Sequence, residues 1–164
     1  MALGEVGLAQ SRPLAFDEAF PRLFSVAYRV AFRLLGDRSE AEDVAQEACA
    51  RAYSRWARVA DYAEPWCVRV AGNLALDVLR ARTRAAKRSG GEGEPAAAAS
   101  VIDERVDLQR ALAALPRRQR EAVVLRYLGD QSEQQTATIL GCSVGSVKTH
   151  ASRGLARLRE VIGR

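Results

Sequence analysis

Residues 132–153 read SEQQTATILGCSVGSVKTHASR, and this stretch decides how the rest of the chain is interpreted. Ser132 followed three residues later by Gln135 is the pattern of a capping box, which marks the start of a helix. That helix is predicted to end at Gly141, because glycine most readily adopts the left-handed conformation after a helix end. Ser143 then offers the N-cap of a second helix. Two helices joined by a short turn that contains glycine form the helix-turn-helix unit.

The second helix of this unit has two different faces. Its apolar residues share one side at about 100° per residue: Val147, Ala151, Leu155 and Leu158. Ser146, Thr149 and Arg153 point the other way. In a helix-turn-helix the second helix enters the major groove, and its N-terminal residues read base edges. The pattern therefore predicts DNA binding, although a polar face of this kind is also typical of plain solvated surface.

The charge of the chain is placed where DNA binding would need it. The formal net charge is +5 over 164 residues. Residues 16–84 hold 11 basic and 10 acidic side chains, whereas residues 104–164 hold 11 and 6. The basic excess thus falls in the half that contains the helix-turn-helix, as binding to phosphates requires. A solvated basic surface is the alternative that charge alone leaves open.

Composition argues against several other classes of protein. The sequence has no stretch near the ~18 apolar residues of a membrane span and no targeting segment, so we expect a cytoplasmic protein without membrane insertion. Three cysteines far apart and one histidine offer no plausible metal site. The expected state of the cysteines is a buried, reduced thiol. No nucleophile with a base, phosphate loop or metal cluster is evident, which predicts a protein that is not an enzyme and needs no cofactor.

The first half of the chain predicts three helices with apolar faces. The first has its apolar period from Phe20, with Pro21 in its first turn and Gly36 at its end. The second opens with another capping-box pattern, Ser39-x-x-Glu42, and carries a flat alanine face. Opposite that face, stepping ~100° per residue brings together an acidic strip: Glu40, Asp43, Gln46 and Glu47. Strips of this kind are most often solvated surface.

A third helix is predicted from Trp66, after a loop over Arg58–Glu64 that Pro65 closes. Residues on its polar side fall within about 80° of one another: Arg69, Asn73, Asp77, Arg80 and Arg84. A mostly basic stripe beside a loop flanked by Trp56 and Trp66 is suited to a nucleic-acid backbone and an unstacked base. The alternative is that both tryptophans anchor the core, and this is favoured for Trp56.

The architecture predicted from these segments is all-α, with two small helical domains joined by a flexible linker. The first domain covers 16–84 and the second, with the helix-turn-helix, covers 104–164. Between them, residues 85–103 contain AAKRSGGEGEPAAAAS, which lacks periodicity and bulky apolar residues. Within the second domain a short helix through Val106–Leu115 precedes another that starts at Pro116 and runs to Leu128, where Gly129 stops it.

Several motifs resemble those of bacterial sigma factors. The segment DVAQE at 43–47 resembles their core-binding DxxQE signature. LPRRQR at 115–120 and GCSVGSVKTHASRGLARL at 141–158 are similar to their fourth domain. The third helix, with Trp66 and Asn73, resembles the promoter-opening helix of their second domain. Because only these two domains are evident, the resemblance is to the compact extracytoplasmic-function group, and it covers essentially all of 16–162.

The resemblance implies partners and a role for each surface. The acidic strip would dock on the clamp helices of core RNA polymerase, and the fourth domain would also touch the polymerase flap. Promoter DNA would be bound as a single strand at the minus-ten element by a first set of residues: Arg58, Asp61, Trp66, Arg69, Asn73, Asp77, Arg80 and Arg84. It would be bound as a duplex at the minus-thirty-five element by a second set: Arg117, Ser143, Ser146, Lys148, Thr149, His150 and Arg153. An anti-sigma protein is a further partner that the resemblance allows.

Two residues depart from the pattern of that family. Gln135 stands where the family usually has Glu, and His150 stands where it often has Arg; these departures bear on the upstream base preference and not on the fold. Two other classes of protein stay open, a stand-alone helix-turn-helix repressor and a helical adaptor. A repressor would bind duplex DNA alone, an adaptor would not bind it, and a sigma factor would need core polymerase.

Overall fold

The structure is a computed structural model that describes residues 15–89 and 104–162. Every regular element in these two ranges is helical, which confirms the predicted all-α class. None of the helices in these ranges is long and apolar enough to cross a membrane. The residues between 89 and 104, where most of the predicted linker falls, lie outside the described part of the chain.

The first domain is built on three long helices, α1 (Phe16–Leu35), α2 (Arg38–Ser54) and α4 (Ala63–Arg88). A short helix, α3 (Trp56–Val59), and a 3₁₀ turn (Ala60–Tyr62) connect the last two. The three long helices pack against one another in all pairs. The alanine face of α2 makes this possible, because small side chains let helix backbones approach closely. Its members are completely buried: Ala41, Ala45, Ala48 and Ala52.

The helix starts in this domain differ from those predicted. The first helix begins at Phe16 rather than near Phe20, so Pro21 lies inside it, where it removes one intrahelical hydrogen bond. The N-cap of α2 is Asp37 and not Ser39, because the Asp37 carboxylate accepts a 2.9 Å hydrogen bond from the Glu40 backbone N–H. The predicted end of α1 at Gly36 is confirmed, with φ at 71°.

The predicted loop over Arg58–Glu64 is wrong. These residues form α3, the 3₁₀ turn and the first turn of α4, and Pro65 lies within that first turn, where a missing N–H costs no bond. Burial of Val59 and Ala63 ties the segment to the core. At its other end α4 continues to Arg88, beyond the predicted domain end at 84, because the alanines and lysine that follow are good helix formers.

The second domain contains α5 (Glu104–Ala113), α6 (Arg117–Val123), α7 (Glu133–Leu140) and α8 (Val144–Ile162). The helix predicted to run to Leu128 changes after Val123 into one π-helical turn, Val124–Leu128. Helix α8 crosses α6 at Gly154, where a Cβ would lie 2.6 Å from Val123 Cγ2 and 3.2 Å from the Gln119 carbonyl oxygen. This crossing explains why a glycine occupies the middle of a long helix.

The two domains pack directly against each other along a seam between α1 and α4 on one side and α5, α6 and the π turn on the other. Buried side chains of both domains form one continuous apolar cluster. At its centre Leu125 packs on Gly72 of α4, and Val68 packs on Gly129. Hydrogen bonds also join α1 to α5 across the seam. Arg33 Nη1 donates to Gln109 Oε1 at 3.3 Å, and Gln109 Nε2 donates to the Phe32 carbonyl at 3.2 Å.

Candidate functional site

The helix-turn-helix has the local geometry that the sequence predicts. Ser132 Oγ accepts from the Gln135 N–H at 3.0 Å, and Gln135 Oε1 accepts from the Ser132 N–H at 2.8 Å, which completes the capping box. Gly141 adopts the left-handed conformation with φ at 64°. Ser143 Oγ then accepts from the Ser146 N–H at 3.1 Å and starts α8. Glutamine therefore performs the same capping at position 135 as a glutamate would.

The inward and outward faces of α8 also follow the sequence. Val147, Ala151 and Leu158 are buried against the rest of the second domain. Four of the residues predicted to face duplex DNA are exposed on or before this helix: Ser143, Lys148, Thr149 and Arg153. Ser146 and His150 are half-buried. Lys148 Nζ lies 3.5 Å from Glu133 Oε2, an ion pair between two accessible side chains that contributes little to stability.

Arg117, the remaining residue predicted for duplex DNA, is the first residue of α6 and not part of α8. Its Nε donates to Glu121 Oε1 at 2.7 Å, and its Nη1 donates to Thr83 Oγ1 of the first domain at 3.2 Å. Glu121 is completely buried and is paired with both Arg117 and Arg118. In this arrangement Arg117 is therefore part of the seam.

The acidic strip on α2 is open to solvent. Asp43, Gln46 and Glu47 are exposed on the side of the helix opposite its buried alanines. Glu47 accepts a 2.7 Å hydrogen bond from Arg51, one turn further on. Glu40 differs from the other three, because it is half-buried and forms an ion pair with Arg82 of α4. The strip available to a partner thus consists of three side chains.

The polar stripe on α4 is likewise accessible. Most residues predicted to hold single-stranded DNA are exposed: Arg58, Asp61, Arg69, Asn73, Asp77 and Arg84. Trp66 and Arg80 are half-buried, and Arg80 Nη1 donates to Asp77 Oδ1 at 2.9 Å. Asn73 stands one turn from Arg69 and from Asp77 on the same side of the helix. An amide that both donates and accepts hydrogen bonds is thereby presented between a cationic and an anionic side chain.

The tryptophans beside this stripe belong partly to the core. Trp56 and Trp66 both pack against a small apolar cluster that includes Leu23 and Cys67. The Trp56 ring meets the Phe16 ring edge-on at 5.3 Å. The anchoring interpretation therefore holds for Trp56 and, in part, for Trp66, whose half-exposed ring still borders the stripe.

Comparison with known proteins identifies the family. Residues 19–85 match the family described as Sigma-70 region 2, and residues 105–158 match Sigma-70, region 4. The RNA polymerase sigma-E factor of Streptomyces avermitilis is 36% identical over 161 residues, which cover 93% of this chain and 88% of that protein. The ECF RNA polymerase sigma factor SigW of Bacillus subtilis is 31% identical, with 81% of each chain covered. The chain belongs to the extracytoplasmic-function group of sigma factors.

Solved structures of sigma factors share the fold. The chain of the sigma factor RpoE, crystallised with the anti-sigma factor NepR from Bartonella quintana, superimposes with a TM-score of 0.70 at 24% identity. The alignment covers 90% of the present chain and 96% of that chain. As a sigma factor, the protein directs promoter-specific initiation of transcription, and it is a regulatory initiation factor.

Two exposed tyrosines of this sigma factor lie before α4 in the chain, and neither was predicted as a site residue. Tyr53 is 65% exposed and Tyr62 is 52% exposed, which is unusual for such large rings. Tyr53 lies in the last turn of α2, and Tyr62 ends the 3₁₀ turn before α4. The signal in the sequence is YSRWARVADYAEPW at 53–66, where aromatic residues alternate with charged ones. Exposed rings among arginines are typical of sites that stack unpaired bases.

Proposed function

We propose that this sigma factor works through three separate surfaces, each with its own partner. The acidic strip on α2 binds the clamp helices of core RNA polymerase. The polar stripe on α4 captures the minus-ten element as a single strand. Helix α8 reads the minus-thirty-five element as a duplex, while its domain also contacts the polymerase flap. The observation that carries the proposal is that all three surfaces are exposed on helices whose opposite faces form the core.

The acidic strip is proposed to bind the polymerase because its exposed carboxylates, Asp43 and Glu47, make no contact with another helix that the fold requires. Asp43 and Gln46 project from a helix whose stability comes from its alanine face. Surface residues of this kind contribute within about 0.5 kcal/mol to folding. Glu40 supports the strip indirectly, since its ion pair with Arg82 fixes the start of α2 against α4.

The stripe is proposed to hold unpaired bases. Tyr62, Tyr53 and the half-exposed Trp66 ring offer surfaces on which bases can stack. Asn73 offers an amide for a base edge, and Arg69 and Arg84 attract phosphates. Extruding a base costs a few kcal/mol of lost stacking, which several such contacts can offset.

The compact arrangement has to open before both promoter elements can be bound together. Elements about 25 base pairs apart lie roughly 85 Å apart on B-form DNA. A compact chain of about 150 residues has a radius of gyration of only about 15 Å. The segment 90–103 can span at most about 50 Å when fully extended, which allows the domains to separate. Opening would also release Arg117 from Thr83 for contact with DNA.

We further propose a cytoplasmic location, where polymerase and promoter DNA are found, and no catalytic activity of the chain itself. The polymerase supplies the chemistry of RNA synthesis. An anti-sigma protein that holds the closed form is a further proposed partner.

Binding of the polymerase can be tested with charge-reversal variants. We expect Asp43→Lys/Glu47→Lys to keep the parent helix content and to bind core polymerase at least tenfold more weakly. The matched control is Glu42→Lys/Glu160→Lys, which makes the same change in net charge at two exposed carboxylates outside the strip. Equal core affinity for parent and strip variant would contradict the assignment.

A further inference from the structure

The side chain of Thr149 is held by a hydrogen bond within its own helix. Thr149 lies in the second turn of α8 and is exposed, on the side opposite the buried Val147 and Ala151. Its Oγ1 donates to the Gly145 carbonyl oxygen at 3.0 Å. A hydroxyl has a single proton, so this bond leaves the oxygen with acceptor capacity only. Thr149 therefore offers a partner an acceptor and a methyl group, but no free donor.

The four bases differ in what they present to such a side chain. In the major groove guanine carries two acceptors, N7 and O6, and these require a donor. To supply one, the Thr149 hydroxyl would have to give up its bond with Gly145. Thymine presents a C5 methyl group, which contacts apolar groups such as the methyl of a threonine. Adenine and cytosine present amino groups that an acceptor can bind. The internal bond thus disfavours guanine.

The direction of this bond favours the methyl contact over the acceptor contact. Oγ1 and the Cγ2 methyl are both attached to Cβ, so the rotation that aims the oxygen at the Gly145 carbonyl also fixes the methyl. The oxygen faces the backbone of the preceding turn of α8. The methyl is therefore the branch of Thr149 that is left for a base.

Other polar groups near the start of α8 are also engaged within the protein. Ser146 Oγ lies 2.9 Å from Ser143 Oγ, which in addition accepts from the Ser146 N–H at 3.1 Å. Lys148 Nζ lies 3.5 Å from Glu133 Oε2. Because these neighbours already have partners, we expect base preference in this part of the helix to come chiefly from Thr149.

We propose that Thr149 recognises a thymine of the upstream duplex element through contact between its Cγ2 methyl and the C5 methyl of the base. This inference rests on the proposed function, because it takes α8 as the helix that enters the major groove. It adds the chemistry of the contact, which is apolar and requires no hydrogen bond from Thr149. The contact is lost when the methyl group is removed from either partner.

Replacing thymine by uracil tests this contact, because uracil lacks only the C5 methyl and pairs with adenine in the same way. The probe is a duplex promoter fragment identified by start-site mapping, with each thymine of its upstream element replaced in turn and binding measured with the holoenzyme. For the parent, one replacement should weaken binding about fourfold, the effect of one methyl group removed from contact. Thr149→Val keeps the methyl without the hydroxyl and should keep this sensitivity. Thr149→Ser keeps the hydroxyl without the methyl and should bind both fragments equally.

A threonine outside the recognition helix provides the control. Thr138 of α7 is exposed, and its Oγ1 donates to the Gln134 carbonyl at 3.0 Å, as Thr149 does within α8. Thr138→Ser should therefore keep the sensitivity of the parent to uracil. Helix content measured for each variant ensures that a lost effect is not caused by unfolding.

Several results would overturn the inference. These are an upstream element without thymine in either strand, a parent that tolerates uracil at every position, and a Thr149→Ser variant that retains the sensitivity. Loss of the sensitivity in Thr149→Val would identify the hydroxyl oxygen as the contact and would also overturn it. All of these results are obtained with a holoenzyme that binds its promoter. A chain that creates no new start sites would instead contradict the proposed function, so the two failures are distinguishable.

Discussion

Gly72 of α4 faces Leu125 of the π turn so closely that a Cβ on Gly72 would lie 2.9 Å from Leu125 Cδ2. The two residues are 53 positions apart in the sequence and belong to different domains. Leu125 is completely buried by this contact and by its neighbours. Helix α4, which carries the polar stripe on one side, thus packs against the second domain on another.

A large side chain at Gly72 is expected to loosen the seam. Gly72→Leu places four carbons where Leu125 now packs, and overpacking of this kind typically costs about 1–3 kcal/mol. Small-angle X-ray scattering should show a larger radius of gyration than that of the parent. Ala81→Leu adds similar bulk on the exposed side of the same helix and should leave the radius unchanged. Identical scattering from parent and Gly72→Leu would show that the contact does not hold the domains together.

Gly154 provides a test of packing inside the second domain. Its added Cβ would meet the Gln119 backbone carbonyl at 3.2 Å as well as Val123 Cγ2 at 2.6 Å, and the backbone cannot move aside easily. We expect Gly154→Ala to lower the free energy of unfolding by about 1–3 kcal/mol. Urea denaturation of both proteins measures this change in the free energy of unfolding. Gly145→Ala on the same helix meets only Ser143 Oγ at 3.8 Å and should be neutral or stabilising by up to about 1 kcal/mol.

The three cysteines should differ in reactivity. Cys49 and Cys67 are buried and unbridged, whereas Cys142 is half-exposed. The side-chain hydrogen bond with Cys49, together with burial, raises the pKa of the Cys67 thiol, so the reactive thiolate is suppressed at neutral and mildly alkaline pH. Ellman's reagent should titrate one thiol rapidly in the native protein and all three in denaturant. Rapid reaction of two or three native thiols would contradict the described core.

Substitutions on α8 should distinguish residues that contact bases from residues that contact phosphates. We expect Arg153→Ala to weaken binding of all sequences alike and to reduce the salt slope by about 1. Thr149→Ala should instead change sequence preference by about 1–3 kcal/mol. Binding of the holoenzyme to a panel of mutated promoters over several salt concentrations distinguishes the two. An unchanged slope and affinity for Arg153→Ala would count against the proposed docking.

Asn73 allows promoter opening to be tested apart from promoter binding. We expect the holoenzyme to open its promoter without ATP. Asn73→Ala should impair this opening more than it impairs formation of the closed complex, because the Asn73 amide contacts a base only after that base has left the stack. A fluorescent base analogue at the minus-ten element reports the step. Ser25→Ala on the exposed side of α1 is a control outside the stripe. An equal rise in fluorescence for the parent and Asn73→Ala would mean that the stripe is only solvated surface.

The sequence predicts best those features that depend on local chemistry. The capping box at Ser132, the left-handed Gly141 and the two faces of α8 follow from hydrogen bonds and periodicity within a few residues. The exposure of Asp43, Gln46 and Glu47 is predicted in the same way, because helical periodicity places them on the side of α2 opposite its alanines. Prediction of such features therefore requires no knowledge of tertiary contacts.

Features that depend on distant contacts were not predictable in this way. The segment over Arg58–Glu64 contains no strong helix signal, and it is helical because Val59 and Ala63 are buried by the rest of the domain. The position of Arg117 depends on Glu121 and on Thr83 of the other domain. Within the seam, two glycines meet bulky residues more than 50 positions away in the sequence. Periodicity within a segment carries no information on such pairs.

Mapping the 5′ ends of transcripts made in vitro tests the central claim most directly. Core RNA polymerase is supplied with genomic DNA, with or without the purified chain. We predict that the chain creates new start sites that share two upstream sequence elements, and that Asp43→Lys/Glu47→Lys abolishes these starts while Glu42→Lys/Glu160→Lys retains them. The same start sites with and without the chain would contradict its role as a promoter-specific sigma factor.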